Sequence, residues 1–156
     1  MDKSDKLLLV AMRKDSRQTL TQISKTTRVP ISTIYDKLRM FTKLHVKRYT
    51  SLVDFASLGF NTQATIIVKV KKDKRNELRS HLLGDQNVNC LYKINNGFDF
   101  MFEAVFPHLR DMEEFLDELE DKFPITGTQV YYIIEDIARE RFMSDPILHG
   151  GGRPSG

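Results

Sequence analysis

The stretch from Val88 to Phe106 limits the fold more than any other. Val88 to Ile94 reads as a strand and Asn95-Asn96-Gly97 as a turn of residues that accept left-handed backbone. Phe98, Phe100, Phe102, Ala104 and Phe106 then recur at every second position. Only a β-strand places alternate residues on one face, so the stretch is a hairpin whose second strand buries an aromatic row. A lone hairpin is marginal and needs further strands and a cover.

The flanking sequence supplies both. Ala64, Ile66, Val68 and Val70 alternate with Thr65, Ile67, Lys69 and Lys71 in a strand that starts at Thr62. Lys74 to Leu83 reads as a helix with Leu78 and Leu82 inward, closed by Gly84. His108 to Lys122 is an amphipathic helix with Leu109, Met112, Leu116, Leu119 and Phe123 inward and an acidic outer face. Gln129 to Ile137 reads as the last strand. This order predicts an α+β architecture whose second part is a βαββαβ, ferredoxin-like domain with both helices on one face of the sheet. Met101 and Val105, with Tyr131 and Ile133, make the opposite face apolar as well. A second copy of the chain is the economical cover, so the pattern predicts a homodimer through the sheet.

The chain ahead of this domain differs in charge. Residues 1–50 hold 12 Lys/Arg against 4 Asp/Glu, whereas residues 51–156 hold 12 against 17. Lys3 to Lys14 has helical apolar spacing through Leu7, Leu8, Ala11 and Met12, with Asp2 and Asp5 in the first turn and Arg13 and Lys14 in the last. Thr19 or Thr21 can cap a short second helix through Lys25. Thr26 to Val29 is a turn, and Pro30 opens a third helix, Ile31 to about Thr42. Ile31, Ile34, Leu38 and Phe41 share its buried face. At about 100° per residue, Ser32, Thr33, Asp36, Arg39, Met40 and Lys43 lie opposite, flanked by Tyr35 and Lys37. Val46 to Val53 reads as a strand leaving this helix, and Asp54 to Gly59 as a turn or short helix.

Two short helices around a tight turn, the second with a polar face in a strongly basic region, imply a helix-turn-helix that reads double-stranded DNA. The third helix would enter the major groove. Arg39 suits a guanine, and Ser32 and Thr33 suit a base or a phosphate. Tyr35, Asp36 and Lys37 border that surface, Asp36 with a charge that repels phosphate. Arg28, Lys43, Lys47 and Arg48 suit phosphates, which set register rather than sequence.

Cys90 is the only cysteine, which excludes an intrachain disulfide and fits a reducing, cytoplasmic setting. The four histidines share no metal-ligand spacing, so no metal site is expected. No run is apolar enough to span a bilayer, and no leader pattern opens the chain. The expected division is a helix-turn-helix domain over 1–50, a linker strand and turn over 51–61, the ferredoxin-like domain over 62–140 and a tail over 141–156, disordered from 149.

The segments MDKSDKLLLVAMRKDSRQTLTQIS, VPISTIYDKLRMF, VKRYTSLVDFASLGF and NNGFDFMFEAVF, in this order, resemble the leucine-responsive/AsnC (Lrp/AsnC) family of transcription regulators. The resemblance covers about Asp2 to Ile137. It implies a three-helix (winged) helix-turn-helix joined to a ferredoxin-like domain that senses ligand and dimerises, with further assembly to octamers. It also implies an amino-acid or other small effector and no resident cofactor. The family's effector region maps partly onto Asn95, Asn96, Gly97, Phe98 and Asp99. Asp99 is placed either to take an effector's amino group or to point to water.

Two other readings compete. Siroheme decarboxylases resemble this family in architecture, so the fold alone does not exclude an enzyme. Their chemistry needs converging acid/base groups, and Tyr92, His81, His108, Tyr131 and Tyr132 are the candidates here. No phosphate-binding glycine loop, paired metal ligands or nucleophile elbow occurs, and no catalytic residue is expected. The third reading is a metabolite-sensing module without DNA binding, its basic region a solubilising surface.

Overall fold

The computed structural model describes residues 1–145, and the disorder expected from residue 149 lies outside them. They group into two compact units, Met1–Ser51 together with residues 137–145, and Leu52–Asp136. No helix among the described residues is long and apolar enough to cross a membrane.

The first unit is built on α1 (Lys3–Lys14), α2 (Leu20–Thr27) and α3 (Ile31–Leu44). Asp2 caps α1 in a reciprocal capping box with Asp5, which satisfies two otherwise orphaned N–H groups. Thr19 caps α2 in the same way, with Gln22 returning a bond to its backbone N–H. The second helix outlasts its expected end, and Thr27 Oγ1 donates back to the Ile23 carbonyl at 2.7 Å. Leu8, Ala11, Ile23, Ile34 and Phe41 form the core, with Leu20 and Leu38 packed against it. Ile31, expected on this face, is instead exposed, because it lies in the first turn of α3, ahead of the core positions.

The strand expected over Val46 to Val53 is not formed. An extended segment becomes a strand by pairing its N–H and C=O groups, and no described strand pairs with this one. It leaves α3 through paired bonds from His45 and Val46 N–H to the Phe41 carbonyl, at 2.8 and 2.9 Å. A 3-10 turn at Ala56–Leu58 follows, ending on Gly59 with φ +91°.

The second unit is a four-stranded antiparallel sheet of β1 (Thr62–Val70), β2 (Val88–Lys93), β3 (Phe100–Phe106) and β4 (Ile125–Tyr132). The strand order is β2-β3-β1-β4, and α4 (Arg75–Gly84) and α5 (Leu109–Lys122) are its helices. This is the ferredoxin-like arrangement that the element order predicts. The alternating rows of β1 and β3 pack with Leu78 and Leu82 of α4 and with Met112, Phe115 and Leu119 of α5. Phe115, which the expected inward set omitted, meets the rings of Phe102 and Phe106 at 6.1 and 5.3 Å. Leu109, which it included, is exposed in the first turn.

The last strand lies earlier than expected. Its pairing with β1 runs to Ala64 opposite Tyr132, and the Ile133 N–H then donates to Gln63 at 2.9 Å. With little of β1 left to pair, the chain departs, and Ile134 and Ile137 are exposed. On the sheet face away from the helices, Tyr92 and Tyr131 are exposed and Met101 half-buried. Val105 is only 7% exposed within the single chain, so it needs no second copy to cover it. Ile133, just past β4, remains 37% exposed.

Candidate nucleic-acid interface and ligand cleft

Helix α3 presents Ser32, Tyr35, Asp36, Arg39, Met40 and Lys43 to solvent, while Ile34 and Phe41 fix the opposite side in the core. Thr33 is half-buried at the margin of this surface. The helix-turn-helix turn is held by its own short bonds. Arg28 N–H donates to the Ser24 carbonyl at 2.8 Å, and Ser24 Oγ donates to the Val29 carbonyl at 2.7 Å. Arg28 closes α2 in the left-handed region, φ +58°, a conformation that glycine adopts more cheaply. It stands three residues ahead of Ile31, the first residue of α3, and is exposed. At the other end, Thr42 Oγ1 and the Tyr49 hydroxyl share a hydrogen bond of 2.9 Å. That bond ties the segment bearing Lys47 and Arg48, both exposed, back to α3.

Lys37 departs from the expected set. Its ammonium donates to Asp2 Oδ2 at 3.0 Å and to Asp5 Oδ1, and is therefore spent on the cap of α1. Hydrogen bonding to Asp5 and then Asp2 raises its pKa above the ordinary value. The Lys37 bond leads the causes that hold the Asp5 carboxyl below its usual range. For Asp2 the Ser4 hydroxyl contributes most, then the Asp5 backbone, then Lys37. A cation with two carboxylate partners is not free for phosphate, so Lys37 braces α3 against α1 and leaves the set of expected DNA contacts.

In the second unit the hairpin has the backbone its sequence predicts, with Asn96 at φ +60° and Gly97 at φ +83°. Asn95, Asn96 and Gly97 are exposed, and Phe98 is half-buried. Asp99 corrects both expectations made for it. It is buried, and its Oδ2 accepts the Val70 N–H at 2.9 Å. Its Oδ1 lies 2.6 Å from Arg75 Nε in an ion pair whose N–H is not aligned for a hydrogen bond. The carboxylate neither points to water nor stands free for an amino group. It fastens the hairpin to the end of β1 and the start of α4.

That fastening borders a cleft of about 440 Å³. Arg75, Asn76, Arg79 and Leu83 line it from α4, Leu91 and Lys93 from β2, and Asp99 and Phe100 from the hairpin's second arm. This cationic cleft is absent from the expectations drawn from the residues alone. Arg75, Arg79 and Leu83 follow one another at i, i+4 and i+8, a spacing that marks one flank of a helix. Lys93 carried no comparable signal.

The residues weighed for acid/base chemistry are dispersed. His81 packs its ring 5.2 Å from Phe123, at the C-terminal end of α5, whereas His108 caps the N-terminal end. Tyr132 reaches Glu113 of α5 at 3.0 Å, and burial together with that carboxylate raises its pKa. Its neighbour Tyr131 lies on the opposite face of the sheet by strand alternation, as does Tyr92.

The Lrp/AsnC ligand binding domain matches residues 63–142, just over half of the chain. An uncharacterized HTH-type transcriptional regulator of Pyrococcus horikoshii is 26% identical over 147 residues, spanning 94% of this chain and 99% of its own length. The HTH-type transcriptional regulator FL11 of the same organism is 26% identical over 136 residues, spanning 86% of this chain and 90% of its own. Among solved structures, a Neisseria meningitidis transcriptional regulator in complex with L-Met superposes with a TM-score of 0.85 at 21% identity, covering 96% of this chain and 98% of that one. LrpC of B. subtilis superposes with a TM-score of 0.80 at 20% identity, covering 88% and 97%. At such identities the structural likeness speaks for the fold, and the family match for descent. The chain belongs to the Lrp/AsnC family.

Proposed function

We propose that this chain is a sequence-specific DNA-binding transcription regulator whose C-terminal unit senses a small effector. The observation that carries the reading is the outer surface of α3, where Ser32, Arg39 and Lys43 stand exposed on a helix anchored from behind by Ile34 and Phe41. Arg39 reads a base edge, with Ser32 and Thr33 near the helix start. Arg28, Lys43, Lys47 and Arg48 take phosphates on either side and set the register. Tyr35 and Asp36 border the contact, Asp36 discouraging close approach of phosphate. The names of the relatives, helix-turn-helix transcriptional regulators, support the same role.

The effector is an amino acid or a related small metabolite, as the L-Met complex of the Neisseria regulator suggests. The hairpin tip Asn95–Gly97, with Phe98, is one flank of its site, and Asp99 supports that flank from within. Dimers form through Tyr131, Ile133, Met101 and the rest of the open sheet face, and assemble further toward octamers. The protein acts in the cytoplasm and catalyses no reaction. The dispersal of His81, His108 and the tyrosines disfavours a decarboxylase-like site.

A mobility-shift titration on DNA upstream of the protein's own gene, at two salt concentrations, tests the reading. Shifts that resist scrambled competitor and weaken steeply with salt are expected. Absence of any DNA affinity at low salt would leave only the sensor or enzyme readings.

A further inference from the structure

We propose that the cleft between α4 and β2 binds a small organic acid, of the 2-oxo acid class, in preference to the corresponding amino acid. The inference rests on reading the second unit as a small-molecule sensor and specifies what that unit accepts. Its volume of about 440 Å³ suits a metabolite rather than a macromolecule.

The charge of the lining selects the ligand. Arg75, Arg79 and Lys93 face the cleft, against a single carboxylate, Asp99. That carboxylate is consumed: Val70 N–H holds one oxygen, and Arg75 neutralises the other. The side chains of Arg79 and Lys93 form no ion pair or hydrogen bond among the described residues. The cleft therefore has two cations to offer and no free carboxylate to receive an ammonium group. A carboxylate gains charge-assisted bonds there, and an arginine fork matches its two oxygens. An ammonium group would be brought beside uncompensated cations, at a cost. An oxo group in its place carries no charge and accepts a hydrogen bond, for which the Asn76 amide is at hand. Leu83, Leu91 and Phe100 complete the wall and give an apolar side chain somewhere to lie. A carboxylate, an uncharged acceptor next to it and an apolar body together describe a 2-oxo acid.

A matched pair of probes tests this directly. 4-Methyl-2-oxopentanoate and L-leucine share the carboxylate and the branched side chain and differ in the oxo or ammonium group. Isothermal titration of the full chain without DNA should show the oxo acid binding at least about tenfold more tightly. Arg79→Gln and Lys93→Gln should each weaken the oxo acid by about tenfold while leaving DNA affinity without ligand unchanged. Equal or tighter binding of L-leucine, binding that both variants leave intact, or failure of the oxo acid to bind at millimolar concentration would overturn the inference. Inorganic phosphate binding as tightly as the oxo acid would overturn it too, since the apolar wall would then play no part. Oxo-acid binding by a protein without DNA affinity would uphold it and defeat only the regulator reading.

Discussion

Lys37 and Asp5 are joined by an ion pair that connects the middle of α3 to the capping box of α1. The helix that carries the proposed base contact is thus positioned both by its apolar side and by a charge clasp at its edge.

The clasp has a pH window. Asp2 and Asp5 are held below the ordinary 3.8, so their contribution is whole above that value and lost as pH falls through their lower folded values. Lys37 is held above the ordinary 10.5, so its contribution is whole below that value and lost only above it. Lys37→Met should lower the urea midpoint at neutral pH and flatten its decline below about pH 4. An unchanged acid limb would show that the clasp contributes nothing.

The same variant separates bracing from DNA contact. Lys43→Ala should weaken all sequences alike and reduce the salt slope of binding by about one unit. Arg39→Ala should relax preference at one base position by about 1–3 kcal/mol. Lys37→Met should leave the salt slope as it was, because its charge is already answered. Fluorescence anisotropy across a salt series reads all three.

Arg28 trades backbone strain for charge. With φ at +58°, Arg28→Gly should raise thermal stability by up to about 1 kcal/mol. It should also lower DNA affinity by removing a phosphate contact. A loss of stability, measured by calorimetry, would mean that the arginine side chain packs usefully where it lies.

Asp99 is expected to matter for stability first. Asp99→Ala leaves the buried Val70 N–H without its acceptor and should cost roughly 1–3 kcal/mol by urea unfolding. Asp99→Asn keeps an oxygen for that N–H and should recover part of the loss. If both variants unfold like the parent, the fastening of hairpin to helix is not structural.

Periodicity made much of this architecture legible. The alternation of Phe100, Phe102 and Phe106 required a strand with one buried face, and Asn96-Gly97 required left-handed backbone, which the hairpin has. Thr19 was one of two threonines able to cap α2, and the capping box with Gln22 decides between them. What escaped depends on partners distant in sequence. Asp99, next to a polar turn, reads as a surface residue until Arg75 and Val70 are brought to it. Lys37 reads as one more cation on a basic helix until Asp2 and Asp5 meet it. Val46 to Val53 has strand composition, but a strand needs a neighbour as well as a pattern.

Residues 137–145 rejoin the first unit after the whole sheet has been threaded between. Arg13 of α1 receives them, donating from Nε to the Phe142 carbonyl at 2.6 Å and pairing with Glu140 at 2.7 Å. A DNA-binding fragment cut at Ser51 would therefore be missing a piece of its own surface, and Arg13 would lose its partners to solvent. Removing the second unit while keeping the first whole means joining residue 51 to residue 137 rather than stopping at Ser51.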